Sequence, residues 1–254
     1  MIPMTRLLRK LLFFMIPLSF KLRIRLAYYK LTGKLEPELT FVLSLTNNRR
    51  KFVDIGANAG IYSLSYSSKF KTIEAFEPLV GITKSLVAMG IKNITLHNIA
   101  LSSRGETRAL YIPIIDRIQV PDLATFTRPK YPSKRSMVIT RTLDSFDFSE
   151  VDLIKIDTEG HELEVLKGAV ITIRRNNPVL LIEIEQRHNT IPIESIFKFI
   201  SDLGYFGYFL QDGKLRSISV FDYTLHQLAY LHQPTDDRYV NNFIFLPNSL
   251  AIKM

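Results

Sequence analysis

The sequence predicts an α/β fold built on a doubly wound, mostly parallel sheet. From residue 51 onward, short β-type segments alternate with segments of helical periodicity, and helices that connect successive strands imply parallel pairing. Two of the strands, VDLIKID and PVLLIEIE, are nearly continuous apolar runs, which is typical of strands buried on both faces. Ligands of such sheets bind beyond the carboxyl ends of the central strands, where the strand order reverses. Functional residues are therefore expected at those strand ends.

The predicted elements follow one another in a regular order. The strands are 51–55, 71–76, 93–98, 106–112, 151–157 and 178–185, with two further candidates in YFGYFL and NNFIFLP. Helices are predicted to about residue 69, over about 79–89, from 161 to about 175, and over IESIFKFISDLG. Residues 113–135 contain four prolines and no periodic apolar face, which predicts a long irregular loop that serves the site.

Composition excludes several function classes. The 254 residues are enough for one main domain and include no cysteine, which excludes disulfides, thiolate metal sites and cysteine nucleophiles. We expect a cytoplasmic protein, since a reducing compartment suits this composition. The net charge of +9 is concentrated in residues 1–35, which hold eight Lys or Arg and no acid. Removing these eight from the 33 basic residues leaves 25 against 24 acidic ones, a nearly neutral body that disfavours nucleic acid as a partner.

Residues 1–35 are predicted to be a basic, apolar extension ahead of a domain at 36–254. The apolar run LLFFMIPLSF is about half as long as a membrane-spanning helix, and no small-residue cleavage site follows it. Apolar residues recur at helical spacing opposite basic ones, namely Leu7, Leu8, Leu11, Leu12 and Met15 against Arg6, Arg9 and Lys10. Such a helix either lies on an anionic membrane surface, as a peripheral contact, or packs on the domain.

A turn that carries two glycines follows the first predicted strand, in VDIGANAGIYS at residues 53–63. Gly56 and Gly60 allow the backbone to approach a ligand closely, and Asp54 at the strand end can hold a cationic or hydroxyl group. Glu77 ends the next strand, 23 residues after Asp54, where an acid is placed to bind both hydroxyls of a ribose. The non-glycine residues within the turn favour a nucleoside that has no phosphates.

Each of these residues also has a purely structural alternative. Glycine turns occur wherever a helix and a strand pack tightly, with or without a ligand. Glu77 can cap the helix that Pro78 begins, because helix N-termini favour negative charge. Asn58 is as well suited to capping the helix as to bonding a ligand.

A second group of polar residues follows the strand VDLIKID, in the segment KIDTEGHE. In the expected strand order this strand end neighbours the first glycine turn, so Asp157 would face the same crevice as Asp54. Two carboxylates there are costly unless a positive group joins them, and the sulfonium and ammonium of S-adenosylmethionine meet that need. The alternative is that Asp157 and Glu159 only cap the next helix.

Together these motifs resemble the FkbM-type methyltransferases. The matching segments, in the family's order over about residues 36–247, are VDIGANAGIYS, AFEP, NIALSSRGE, TLDSF, VDLIKIDTEGHELEVLKGA, PVLLIEIE and NNFIFLP. The resemblance implies a Rossmann-like class I methyltransferase fold with seven strands, the last one antiparallel, and S-adenosylmethionine as cofactor. It also implies a saccharide or a small natural product as the acceptor, methylated on oxygen.

The resemblance further implies individual binding roles. The residues that line the methionine side of the cofactor would be Asp54, Gly56, Asn58 and Gly60. Glu77 would hold the ribose, Asn98 would lie on the adenine side, and Asp157 and Glu159 would lie beside the methyl group.

Transfer of a methyl group to a hydroxyl is an in-line displacement that needs alignment of the reactants and a base. The candidate bases are Glu159, His161, Asp157, Glu183 and His188, and a pKa near neutrality favours a histidine. Glu159 is the first choice and His161 the second, because both follow the strand that faces the cofactor. No H-E-x-x-H or similar spacing is present, so no metal is expected.

Two competing functions remain open from the sequence. The acceptor could be a nucleic acid, for which the segment RPKYPSKR offers four basic residues. Alternatively, the chain could be a non-catalytic, membrane-attached module that retains the fold.

Overall fold

The computed structural model of the chain describes residues 16–233, 236 and 238–250. Its strands, in chain order, are β1 Lys51–Ile55, β2 Thr72–Phe76, β3 Ile94–His97, β4 Ala100–Leu101, β5 Glu106–Ile115, β6 Ile118–Gln119, β7 Ser133–Arg141, β8 Val151–Ile156, β9 Val179–Glu183, β10 Tyr205–Gln211, β11 Lys214–Ser217 and β12 Asn242–Pro247. Its helices are α1 Leu18–Leu31, α2 Pro37–Leu45, α3 Ile61–Tyr66, α4 Val80–Ala88, α5 Glu162–Lys167, α6 Val170–Asn176, α7 Glu194–Asp202 and α8 Tyr223–His226.

The main sheet has the strand order β11-β10-β12-β9-β8-β1-β2-β3. Strands β1, β2, β3, β8 and β9 run parallel, while β12 is antiparallel to both β9 and β10. The order reverses between β1 and β8, because the chain continues from β1 towards one edge and from β8 towards the other. This arrangement confirms the predicted doubly wound sheet with an antiparallel last strand. An eighth strand, β11, extends the edge as a hairpin with β10.

Both faces of the main sheet are covered, which explains the continuous apolar runs in its central strands. Alternate side chains of a strand point to opposite faces. In β8, Leu153 packs towards the face covered by α2 and α3, and Ile154 packs towards the face covered by α5 and α7. Both side chains are buried, so neither position could be polar without cost.

A smaller sheet, in the order β4-β7-β5-β6, stands beside the main one. It corrects the predicted loop over 113–135, because β5 continues to Ile115 and β7 already begins at Ser133. Pro113 is tolerated inside β5 since its carbonyl still accepts a hydrogen bond, from Val120 N at 2.9 Å. The prediction of irregular structure from the prolines therefore holds only between about residues 120 and 132.

The helix predicted from 161 to about 175 is two helices, α5 and α6, separated by Gly168 and Ala169. A Cβ on Gly168 would lie 2.1 Å from the carbonyl oxygen of Ser102, so the chain turns here to pass the segment that follows β4. Asp144 then caps α6, because its carboxylate accepts from the backbone N–H groups of Ile171 and Thr172 at 3.1 and 2.8 Å.

Helix α1 belongs to the predicted N-terminal extension and packs on α4. Its buried side chains are Leu22 and Leu26. The helix predicted around Leu7–Met15 lies outside the described residues. Within the part of the chain that the structure describes, no helix combines the length and the apolar character that crossing a bilayer requires.

Candidate cofactor site

The ends of β1 and β8 meet at the point where the strand order reverses. Asp54 is paired in register with Lys155, and the backbone N–H of Asp157 donates to Ile55 O at 3.0 Å, which continues the ladder by one residue. Asp54 and Asp157 consequently line one crevice, as the strand order predicts. The crevice continues past Gly56 to Glu77 at the end of β2, and the space on that side is about 600 Å³ when counted out to its open mouth.

Asp54 lies at the bottom of the crevice and is almost completely buried. Its Oδ2 accepts a hydrogen bond from Ser63 Oγ at 2.6 Å, whereas its Oδ1 has no hydrogen-bond partner among the described residues. Burial raises the pKa of Asp54, and the charge of Lys155 opposes that rise. A buried carboxylate oxygen without a partner is suited to accept from an ammonium group of a ligand.

Lys155 is the functional residue of this crevice that sequence reasoning missed. Its buried Nζ lies 2.7 Å from Asp157 Oδ2 and 4.7 Å from the centre of the Tyr62 ring. Burial alone would lower the pKa of Lys155, but Asp157, followed by Glu36 and Asp54, raises it above its usual value. The two aspartates thus have a protein cation between them, where the sequence argument required a positive ligand. The sequence did contain a signal for this role, because Lys155 is a charged residue inside a strand that the apolar pattern predicts to be buried on both faces.

The two glycines of the first motif have different roles. Gly56 has φ +77° and lines the crevice, but a Cβ on it would lie only 1.8 Å from the carbonyl oxygen of Asp157. Gly60 has φ +91°, and its Cβ would lie 2.7 Å from Leu86 Cδ2 on α4. Gly60 is not among the residues that line the crevice, and tight packing on α4 accounts for the glycine, so its contact with the cofactor stays a prediction. Gly56 combines the packing role with a place in the crevice wall.

Glu77 both lines the crevice and caps a helix. Its Oε2 accepts from Asn58 N at 3.1 Å, and its Oε1 accepts from Leu79 N at 2.9 Å. Burial raises the pKa of Glu77 to about 7. Each oxygen accepts one backbone N–H and retains a second lone pair, which suits a pair of neighbouring ribose hydroxyls. The binding role and the capping role are therefore compatible.

Asn58 forms part of the crevice wall in a left-handed conformation, with φ +51°. Its Oδ1 accepts from the backbone N–H of Ala59 at 2.6 Å. The side-chain oxygen is thus used locally, within the turn.

The adenine side differs from the prediction. Asn98 is exposed, donates weakly to Glu77 O at 3.4 Å, and does not line the crevice, because it follows the edge strand β3. The wall comes from the smaller sheet and its connecting segment, through Ala100, Leu101, Leu110 and Phe126. These residues are far apart in the sequence. The pairing of β7 with both β4 and β5, and the bridge between Tyr111 and Thr125, bring them together.

Glu159 lines the crevice, two residues after Asp157, and has a left-handed backbone, with φ +52°. Its Oε2 is 3.2 Å from His188 Nε2. Burial raises the pKa of Glu159 to about 9, with smaller contributions from Asp157 and Glu185. A carboxylate with a raised pKa is a stronger base than an ordinary glutamate. Glu183 lines a small cavity beside it, together with Glu185 and His188.

His161 does not face the crevice, which corrects its selection as second candidate base. Its buried side chain has Nε2 at 2.9 Å from Ser102 Oγ, and its ring packs 4.5 Å from that of Phe126. Burial lowers the pKa of His161 to about 4, which makes it a weak base. It supports the wall of the crevice from behind, through Phe126.

The acids of this region do not form a metal site. Among the described residues, no group of three or more His, Asp or Glu side chains has an arrangement that could hold a metal ion. Instead, Glu183 Oε1 accepts a hydrogen bond from Asn241 Nδ2 at 2.9 Å. Glu185 forms an ion pair with Arg187, with 2.5 Å between Glu185 Oε2 and Arg187 Nε.

The chain is similar to known proteins both in sequence and in fold. Residues 54–206, more than half of the chain, match the family model for the methyltransferase FkbM domain. The chain belongs to the FkbM methyltransferase family. Family membership confirms the resemblance stated from the motifs, and with it S-adenosylmethionine as the cofactor. No curated protein matches the sequence.

The FkbM fold is also found in a solved relative. A methyltransferase FkbM from Methylobacillus flagellatus has a TM-score of 0.51 and 19% identity, covering 78% of this chain and 44% of its own. The present chain thus spans less than half the length of that protein. An rRNA methylase from Streptococcus thermophilus (TM-score 0.45, 11% identity, 83% of this chain and 93% of its own) is more distant. So is a TehB-like SAM-dependent methyltransferase from Corynebacterium glutamicum (TM-score 0.46, 10% identity, 90% and 97%).

The residues of the crevice fit S-adenosylmethionine. The unpartnered Oδ1 of Asp54 can accept from its ammonium group, and the two oxygens of Glu77 can accept from its ribose hydroxyls. The apolar wall that includes Leu101 and Phe126 suits an adenine ring.

Proposed function

We propose that this FkbM-family protein methylates a hydroxyl group of a saccharide or of a small natural product, using S-adenosylmethionine. The observation that carries the proposal is a half-buried carboxylate, Glu159, at the crevice that also contains Asp54 and Glu77. The pKa of Glu159 is raised to about 9, which brings its basicity closer to that of a hydroxyl than an ordinary carboxylate allows.

The residues of the chain divide the work between binding and proton transfer. When bound, S-adenosylmethionine supplies the activated methyl group. Asp54 and Glu77 hold the cofactor, and Lys155 keeps Asp157 in a fixed orientation through its 2.7 Å contact. Glu159 accepts the proton of the acceptor hydroxyl. His188 Nε2, 3.2 Å from Glu159 Oε2 and without a hydrogen-bond partner among the described residues, is placed to stabilise the ionised carboxylate.

A neutral hydroxyl acceptor suits the charge of this region better than a nucleic acid does. Glu159, Glu162, Glu183 and Glu185 surround the small cavity beside Asp157, and this lining offers a phosphate no lysine or arginine. The basic segment at residues 128–135 is exposed and does not contribute to the crevice wall. RNA binding at physiological salt that is abolished by Lys130→Ala/Lys134→Ala would favour the nucleic-acid alternative.

Calorimetry with S-adenosylhomocysteine tests the binding part of the proposal. Wild type should bind, and Glu77→Ala should bind at least tenfold more weakly, because two hydrogen bonds to the ribose are lost. The matched control is Asp202→Asn, an exposed acid on α7, which should bind like wild type. A wild-type protein that shows no binding would favour the non-catalytic alternative and contradict the proposal.

The transfer of label from S-adenosylmethionine to a panel of saccharides and small hydroxyl compounds tests the chemistry. Glu159→Gln should retain S-adenosylhomocysteine binding and lose about 10²–10⁴-fold in transfer rate, since a positioned base contributes that much. Full transfer by Glu159→Gln would rule out Glu159 as the base. Label found on nitrogen or carbon would rule out O-methylation.

A further inference from the structure

Helix α1 has a second face that stays largely exposed in the described structure, although Ile24 and Tyr28 on it also border a groove towards α4. Its inner face, with Leu22 and Leu26, is buried on the domain. On the opposite side, a stripe of four large apolar residues is between 43% and 87% exposed, namely Phe20, Ile24, Tyr28 and Leu31. Their spacing of i, i+4, i+8 and i+11 places them along one line of the helix. This stripe is called the outer face of α1.

Basic residues flank the outer face on both sides. At 3.6 residues per turn, Arg23 and Lys30 lie along one side of the stripe and Lys21 along the other. Arg23 and Lys30 are exposed. No Asp or Glu occurs anywhere in residues 1–35, whereas the rest of the chain has nearly equal numbers of acids and bases. The positive charge is therefore specific to the segment that carries the outer face.

We propose that the outer face of α1 lies on an anionic membrane surface. An apolar stripe bordered by cations is the arrangement that buries side chains at the boundary between headgroups and acyl chains and pairs Lys and Arg with anionic headgroups. The described part of the domain leaves this stripe between 43% and 87% exposed, while α1 contacts the domain through its inner face. The charge complementarity favours a surface of anionic lipid as the occupant, since both flanks have the same sign.

The same helix also contributes to the wall of the crevice. Arg25 and Tyr29 line it beside Asp54, and Arg25 lies 3.9 Å from Asp122 on the segment that closes the other side. Seating the outer face on a bilayer would consequently place the mouth of the crevice next to the lipid surface. The membrane proposal concerns binding alone and does not depend on the transfer reaction.

Co-sedimentation of the full chain with vesicles tests the proposal. Vesicles of phosphatidylglycerol and phosphatidylcholine in equal parts should pellet the wild type, and phosphatidylcholine vesicles should not. Phe20→Glu/Leu31→Glu should reduce the partition at least tenfold, and neither residue lines the crevice. The matched control, Val220→Glu/Leu225→Glu, places two acids on exposed apolar positions far along the chain and should behave like wild type.

The charges are tested separately from the apolar stripe. Arg23→Glu/Lys30→Glu should lower the partition by roughly fivefold or more for each cation lost, and added salt should weaken the wild type in the same way. The matched reversal Lys214→Glu/Arg216→Glu on β11 should have a much smaller effect. Unchanged S-adenosylhomocysteine affinity in each variant verifies that the fold is intact.

Three results would overturn the proposal. The first is equal pelleting of wild type and Phe20→Glu/Leu31→Glu, and the second is no preference for anionic over neutral vesicles. The third is a wild-type dimer in solution that Phe20→Glu/Leu31→Glu converts to a monomer without any vesicle binding by either protein. That result would assign the outer face to a second copy of the chain.

Discussion

Lys155 compensates the negative charge of the two aspartates in the crevice, Asp54 and Asp157. A buried lysine is stable only where anions compensate it, and Asp157 and Asp54 do so here. The arrangement also makes each of these carboxylates dependent on the lysine. The aspartates that line the cofactor crevice and Lys155 therefore also contribute to the stability of the fold.

Replacing Lys155 by Met should therefore destabilise the protein before any ligand is considered. Breaking a buried ion pair on one side costs about 3–5 kcal/mol, because a buried charge is left without a partner. Urea unfolding would measure this loss, and Asp54→Asn/Lys155→Met should recover part of it. The control Lys198→Met, which removes an exposed i,i+4 pair with Asp202, should cost less than about 1 kcal/mol. Equal losses for the two lysines would contradict this explanation.

The pH dependence of catalysis should be governed by Glu159. Its pKa is raised to about 9 in the protein without ligand, so the ionised form that accepts a proton accumulates only as the pH rises. We expect kcat/KM, which reports the free enzyme, to increase with pH, to be half-maximal near pH 9 and to level off above it. The rise of kcat with pH should occur at lower pH than the rise of kcat/KM. The positive charge of bound S-adenosylmethionine favours the ionised carboxylate and so lowers the pKa of Glu159 in the complex.

The control for this pH profile is Glu159→Gln, which should lose most of the activity and also the increase of kcat/KM with pH. A flat profile in the wild type, or the same increase in Glu159→Gln, would show that another group titrates. His161→Gln should retain the increase, because His161 is bonded to Ser102 behind the crevice wall.

At the level of elements, strand ends were predictable and long-range pairings were not. Asp54, Glu77 and Asp157 lie at the crevice as predicted, because each is at or directly after the end of a strand whose apolar pattern is local. Asn98 follows a strand too, but β3 is at the sheet edge, where a strand end lies outside the crevice. The pairing of β5 with β7, which supplies the apolar wall, depends on contacts across some thirty residues that no local pattern specifies.

The contact between the β1 turn and the end of β8 explains why Gly56 is a glycine. Gly56→Ala should lose more than about 2 kcal/mol, because its positive φ is strained for alanine and the new Cβ would displace the backbone of Asp157. Gly81→Ala is the matched control inside α4, where nothing lies within 4 Å of the new Cβ. It should stabilise the protein by about 0.5–1 kcal/mol. Urea unfolding distinguishes them, and losses of similar size would contradict the packing argument.

At the level of the whole molecule, the crevice is formed by three separate parts of the chain. The main sheet supplies Asp54 and Glu77, the connecting segment of the smaller sheet supplies Phe126, and α1 supplies Arg25. A ligand in the crevice contacts all three, so its binding should hold the connecting segment in place.

Limited proteolysis should detect this effect. Trypsin cleavage after Arg117 and Lys130, which are exposed on either side of the crevice-lining stretch 121–126, should slow when S-adenosylhomocysteine is added. Cleavage after Lys214, on the distant β11, should proceed at the same rate with and without ligand. Equal protection at all three sites would indicate general stabilisation instead of local ordering.

The hairpin strand β11 has a consequence for how copies of the protein meet. It is only four residues long, KLRS, and the exposed side chains of Lys214 and Arg216 project from it. Short, cationic outermost strands resist the addition of a further strand from a neighbouring molecule, because the charges would lose their hydration. Fibril-like growth through this rim of the sheet is therefore disfavoured, and Lys214→Val/Arg216→Val should make the protein more prone to aggregate on storage.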